Sequence, residues 1–412
     1  MNTEKRLIPL LRFPEYQNER EWQAIELGEI GDVCMCKRIM KDETSPNGDI
    51  PFFKIGTFGK VADAFISAQL FLEYKEKYSY PSKGDILFSA AGTIGRCVEF
   101  DGHPAYFQDS NIVWIANNEK LVYNSFLKYV YSIVKWNIDD GGVVKRLYND
   151  SIKKTRILIP SLPEQHRIAE CLSSIDSFIS SINEKVEQLK AHKKSLMQKM
   201  FPQKGQTAPV FRFPEFNTEW KKVTLGDIFV ERREHSTITD DLPQLSFTIE
   251  EGVIYPDNKK TNKRDFLIND KDNKKYLVTY IDDIIYNPAN VIYGAIHKNS
   301  LCNGVVSPIY KIFSTSQDAS FMEYIVRMPE FIQKMSTYME GTVLKLRTLK
   351  PESFLKMEVF IAPSLAEQRK IAECLSSVDN TIEYYSQKLV ILEQHKKGLM
   401  QQLFPKLKEL KK

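Results

Sequence analysis

The chain of 412 residues is 42% apolar and 27% charged, an ordinary globular composition long enough for two domains. Its formal net charge of +4 does not by itself mark a nucleic-acid binder, because residues 1–160 and 206–362 are each near neutral and the excess lies in residues 161–205 and 363–412. No apolar run is long enough to cross a membrane, Leu7–Leu11 is too short and broken for a signal peptide, and six cysteines without a Cys-x-x-Cys pair point to a reducing, cytoplasmic setting.

The chain opens with Arg12-Phe-Pro-Glu-Tyr16, Trp22 and Leu27-Gly-Glu-Ile30. Cys34-Met-Cys36 has no companion ligands and reads as two free thiols. The β-rich run Asn111–Ile115 and a helix over Ser125–Val134 predict an α+β domain over residues 1–160. Pro160 and Pro163 then introduce a long helix, predicted within residues 161–205 and ending at Phe201-Pro202. Ile168, Leu172, Ile175, Ile179, Ile182, Val186, Leu189, Leu196 and Met200 alternate at spacings of four and three, interrupted by Lys193, as in the seam of a coiled coil.

The sequence then begins again. Arg212-Phe-Pro-Glu-Phe216, Trp220 and Leu225-Gly-Asp-Ile228 open a second predicted α+β domain over residues 206–362, with a β-rich run over Val305–Ile312 and a helix over Phe321–Arg327. Within it, Lys259–Arg264 with Lys271, Lys274 and Lys275 forms a basic run, either a phosphate contact or a solvated loop. Pro363 introduces a second helix, within residues 363–412, with seam positions Ile371, Leu375, Val378, Ile382, Tyr385, Leu389, Leu392, Leu399 and Leu403 and an interruption at Lys396. Leu162–Pro202 and Leu365–Pro405 align without a gap and share 22 of 41 residues.

Roughly 37 residues of helix span roughly 55 Å, more than one small domain needs to bury its own face. Antiparallel pairing of the two seams would relate the halves by a pseudo-twofold axis and bring the two chain termini together; the alternative is two amphipathic helices packed separately. Between residues 31–140 and 229–340 little repeats beyond Gly84-Asp-Ile-Leu87 against Asp282-Asp-Ile-Ile285, and just after them Gly141–Lys145 matches Gly341–Lys345. A frame kept while its contents differ suits two different recognition surfaces, or an old duplication that drifted.

Catalytic patterns are weak. Asn287-Pro-Ala-Asn290 resembles a methyltransferase base-binding loop but lacks its second proline and aromatic residue. Pro256-Asp257 with Asp272-Asn-Lys274 meets a loose nuclease pattern, yet in a polar stretch with no strand-like alternation to hold carboxylates on magnesium. Gly56-Thr-Phe-Gly59 and Gly92-Thr-Ile-Gly95 lack phosphate-loop spacing, and the six histidines show no ligand spacing. No catalytic residue and no metal site is expected.

Pro160–Ala169 and Pro363–Ala372, Gln188–Gln198 and Leu392–Gln401 resemble the paired helices of Type I restriction–modification specificity subunits (HsdS). Gly84–Ser89 with Gly92–Arg96, and Asp283–Asn290 with Gly304–Tyr310, are similar to that family's target-recognition domains. The resemblance implies two such domains joined by an antiparallel coiled coil, reading a bipartite, asymmetric site in double-stranded DNA with a fixed spacer. It implies docking to two modification subunits, which bind S-adenosylmethionine, and two restriction subunits, which use ATP and Mg2+, with no cofactor in this chain. Candidate DNA contacts, chosen as donors near glycine-bearing turns, are Lys60, Arg96, Lys145, Arg146 and Asn149, then Lys259, Lys263, Arg264, Asn290, Tyr293, Lys345 and Arg347. The rival readings are a protein-binding scaffold and a stand-alone nuclease using Asp257 and Asp272.

Overall fold

The computed structural model describes residues 7–136, 138, 146–203, 205–258, 275–341 and 347–405. The fold is α+β. Its contacts divide the chain into two compact units, the first discontinuous in sequence, Met1–Asn183 with Gln387–Lys412, and the second continuous, Glu184–Ser386.

The first unit contains β1 (Gln23–Glu26), β2 (Val33–Cys34), β3 (Ile50–Phe53), β4 (Phe65–Ile66), β5 (Ile86–Ser89), β6 (Cys97–Glu99), β7 (Tyr106–Phe107), β8 (Ile112–Ile115) and β9 (Arg156–Ile159). Its helices are α1 (Ala68–Lys77), α2 (Asn124–Ile133), α3 (Asn149–Lys153) and the first part of α4 (Leu162–Met200). The strands form an antiparallel sheet in the order β2-β8-β5-β6, a small sheet β4-β3-β7 and the pair β1-β9. β5 and β8 are buried along their whole length, as central strands covered on both faces must be.

The second unit contains β10 (Lys221–Thr224), β11 (Phe229–Glu231), β12 (His235–Ser236), β13 (Ser246–Thr248), β14 (Gly252–Ile254), β15 (Tyr276–Thr279), β16 (Ile284–Tyr286), β17 (Ile296–Lys298), β18 (Gly304–Val306), β19 (Lys311–Thr315) and β20 (Glu358–Ile361). Its helices are α5 (Ala319–Val326), α6 (Pro329–Tyr338), α7 (Pro351–Leu355) and part of α8 (Leu365–Leu403). The principal sheet runs β11-β19-β16-β17, the same arrangement as in the first unit, and β10-β20 repeats the pairing of β1 with β9. The β-rich run Val305–Ile312 contributes to two strands, β18 and β19, in different sheets. Pro308 lies within a turn closed by Tyr310 N–H to Ser307 O at 3.2 Å, and proline cannot continue a ladder there.

Within each unit the start of one long helix packs on the end of the other. In the first, Ile168, Ala169 and Leu172 share a core with Leu399, Met400, Leu403 and Phe404, and Asp176 meets Lys396 at 2.5 Å. In the second, Ile371, Ala372 and Leu375 share a core with Leu196, Met197, Met200 and Phe201, and Asp379 meets Lys193 at 2.6 Å. As one helix advances its contacts recede along the other, so the packing in each unit is antiparallel. The lysines that interrupt the seams are thus ion-pair partners. Each aspartate also accepts from a tyrosine, Tyr129 at 2.9 Å and Tyr324 at 2.8 Å, and each ammonium lies over that ring. Among the seam positions Ile168, Leu172, Ile182, Val186, Ile371 and Leu375 are buried, while Ile175, Ile179, Leu189, Leu196, Val378, Ile382, Tyr385, Leu389, Leu392 and Leu399 are half-buried.

The repeated motifs tie each helix start to its domain. Arg12 donates to both carboxylate oxygens of Glu164 at 2.9 and 2.7 Å, and Arg212 does the same to Glu367 at 2.7 and 2.8 Å. Gln165 bridges Tyr123 N–H and the Leu121 and Pro160 carbonyls, satisfying backbone groups that burial would otherwise strand. Gln368 serves Asp318 N–H and the Ala362 carbonyl in the same way. At the helix ends Phe404 packs on Trp22 and Phe126, and Phe201 on Trp220 and Phe321. Leu11 N–H reaches Gln402 O at 3.0 Å, as Phe211 N–H reaches Lys199 O at 2.8 Å.

Candidate nucleic-acid interface

Each unit carries a groove at the same place in its fold. In the first, a groove of about 420 Å3 is lined by Arg38, which follows β2, by Lys41 and Lys54, by the Gln108–Asn111 turn before β8, and by Arg146. Arg146 precedes Leu147, whose N–H bonds to Ala90 O at 2.8 Å just beyond β5. In the second, a groove of about 830 Å3 is lined by Arg232 and Arg233 after β11, Tyr310 before β19, Asn287–Asn290 beyond β16, and Thr348. There Leu349 N–H bonds to Pro288 O at 3.0 Å, the equivalent link.

The linings differ. In the first groove Arg38 Nε donates to Asp109 Oδ2 at 2.9 Å with its head exposed, and Arg146 Nη2 donates to Asn111 Oδ1 at 2.7 Å. Lys54 pairs with Asp63, and Lys41 has no side-chain partner among the described residues. In the second groove most cations are neutralised within the protein: Arg232 by a two-pronged bond to Asp283, Arg233 by Glu231, and Lys350 by Glu340. The bond to Asp283 raises the Arg232 guanidinium above its ordinary range. Neutral donors remain, among them Asn290 and Tyr310, whose phenol burial pushes up and so keeps protonated.

The structure gathers only some of the candidates. Arg146 and Asn290 line the grooves. Arg96 and Lys60 lie on neighbouring turns, Arg96 bonded to Phe58 O at 3.1 Å and Lys60 closing a turn on Thr57 O beside Gly59, whose φ is +73°. Arg347 is exposed next to Thr348 and bonds Gly341 O, while Tyr293 is exposed and Asn149 heads α3, neither lining a groove. Lys145, Lys259, Lys263, Arg264 and Lys345 lie outside the described residues, as do Asp272 and Lys274. Arg38, Asn111, Arg232 and Tyr310 were not foreseen; the one available signal was the Asp109-Ser-Asn111 turn between two apolar runs. Among the described residues no cluster of three metal-ligating side chains occurs, and no helix is long and apolar enough to cross a membrane.

Residues 19–191 match the Type I restriction modification DNA specificity domain. The chain is 56% identical over 183 residues to a Haemophilus influenzae type I restriction enzyme specificity subunit, an alignment covering 42% of this chain and about half (48%) of that protein. It is 26% identical over 432 residues to the MjaVIII specificity subunit of Methanocaldococcus jannaschii, covering 95% and 92% of the two chains. Its fold is similar to the crystal structure of the Type I restriction-modification S subunit from M. genitalium, with a TM-score of 0.62, 15% identity and coverage of 97% and 100%. By these comparisons the chain is similar to Type I restriction–modification specificity subunits, the matched domain covering residues 19–191 of its 412.

Proposed function

We propose that the chain is the non-catalytic DNA reader of a Type I restriction–modification complex, each unit recognising one half of a bipartite, asymmetric target. The observation that carries this reading is the pair of grooves: the same position beside the same strand order, with different linings. A groove bearing arginine, lysine, asparagine and glutamine carries the donors and acceptors that base edges require. The long helices, shared between the units, set the unspecified spacer. Two modification subunits using S-adenosylmethionine and two restriction subunits using ATP and Mg2+ supply the chemistry.

The test is methylation sequencing of a methylation-free host expressing this chain with its modification subunit. A single bipartite motif carrying N6-methyladenine is expected, and exchanging residues 1–160 should change one half-site alone. Absence of any motif from an assembled complex, with no salt-dependent DNA binding, would leave a protein-binding scaffold. Magnesium-dependent cutting by the isolated chain, lost on Asp272→Ala, would instead favour the nuclease reading.

A further inference from the structure

One turn in the first unit holds two arginines. Gln108–Asn111 joins β7 to β8, and Ser110 at its centre has φ +51°, a left-handed conformation that non-glycine residues seldom adopt. The turn is closed by Asn111 N–H to Asp109 O at 2.6 Å, and Gln108 Oε1 fixes it to Ile55 N–H at 3.0 Å. Asp109 then holds Arg38 through Nε, and Asn111 holds Arg146 through Nη2, in the same groove. Backbone strain persists where the surrounding structure over-determines it, and here it sets the two holding side chains at alternate positions.

Resting on the DNA-reading function above, we propose that Arg146 and Arg38 read guanine in the first half-site, and that Asn111 is the positioning residue for Arg146. A guanidinium has five N–H donors, and each of these spends one. Arg38 keeps its Nη1/Nη2 end, and Arg146 keeps a two-pronged edge whichever Nη2 hydrogen is engaged. Such a fork matches the O6 and N7 acceptors of guanine in the major groove. A phosphate contact needs only a mobile positive charge, which Lys41 supplies at the same groove. A neutral amide holding Arg146 adds orientation without cancelling its charge. The second groove, where Arg232 and Arg233 each spend two donors on a carboxylate, has no equivalent pair among the described residues.

The experiment uses the assembled complex and duplexes carrying its own target. Once exchange of residues 1–160 identifies the first half-site, each guanine in it is replaced singly by 7-deazaguanine, which lacks the N7 acceptor. Wild-type binding should weaken roughly 10- to 100-fold at one or two of these positions. Arg146→Lys, which keeps the charge, should lose that sensitivity at one position. Asn111→Ala should lower discrimination at that same position by a larger factor than it weakens binding to a duplex without the motif. A first half-site without guanine, or less than about a twofold effect of every 7-deazaguanine on the wild type, would overturn the proposal while leaving the two-reader function intact. Failure to find any bipartite motif would overturn both.

Discussion

Replacing Arg12 by methionine isolates one buried charge. The Arg12 and Glu164 side chains are 5% and 1% exposed, and two hydrogen bonds join them across 152 residues of sequence. Arg12 also donates to the Glu19 and Arg20 carbonyls, each at 3.0 Å. Arg12→Met keeps the apolar stem but leaves the Glu164 carboxylate without its counter-charge in a site closed to water. Breaking a buried pair from one side costs about 3–5 kcal/mol, against about 0.2–1 kcal/mol for an exposed one. The assay is hydrogen exchange by mass spectrometry on peptides covering residues 22–30 and 162–172, where that loss corresponds to roughly 100-fold or faster exchange at 1.4 kcal/mol per tenfold. The double variant Arg12→Met with Glu164→Leu should recover to within about 1–2 kcal/mol of the native protein, because no unpaired charge remains. A loss below about 1 kcal/mol in the single variant, or a double variant as unstable as the single, would refute the reasoning.

Two further outcomes follow from contacts within single units. A permuted chain opened at Gly205, with a short linker joining residue 405 to residue 7, should stay soluble and native by circular dichroism, since Leu11 N–H already bonds Gln402 O; an insoluble product would count against equivalence of the two joints. Burial pushes the Cys36 and Cys97 thiols up to about 12, so native protein at pH 8 should alkylate at these sites far more slowly than protein in urea. Their folded pKa is raised, so this contribution to stability is intact below the unfolded thiol's value of about 8.5 and is lost as the pH climbs toward 12. A denaturation midpoint that does not fall above about pH 9 would contradict that sign.

The helices were legible because a seam at spacings of four and three is a local signal, and because two copies register it. The meaning of its breaks was not. Lys193 reads as a defect until Asp379 is seen beside it, and no periodicity reaches across 186 residues. Val305–Ile312 is legible only as a β-rich run for a related reason: β-forming residues flank Pro308 on both sides, and only the sheet shows that the chain changes partners there. The interface was less legible still. Glycine-bearing turns led to Arg96 and Lys60, which do not line the groove, whereas Asn111 enters it on a strained turn that contains no glycine, and Asp109 of the same turn holds Arg38 there. Arg146 was found because it follows the Gly141–Lys145 motif, although nothing in sequence paired it with Asn111.

The residues that repeat are those with a partner in the frame, and this bears on how such a chain changes its target. Arg12, Tyr129 and the Tyr123 N–H all bond to residues beyond position 160: Glu164, Asp176 and Gln165. Arg212, Tyr324 and Asp318 make the matching bonds to Glu367, Asp379 and Gln368. A domain exchanged at residue 160 is therefore accepted only if it brings an arginine, a tyrosine and a loop of the same geometry to meet the helix. The groove residues face no such demand, since among the described residues Arg38, Asn111 and Arg146 bond only within residues 1–160. Under plain drift the groove and frame positions would have diverged alike. Instead the two copies keep the arginine–glutamate, tyrosine–aspartate and glutamine links to the helices and differ where the groove is lined, the division expected of a fixed holder for interchangeable readers.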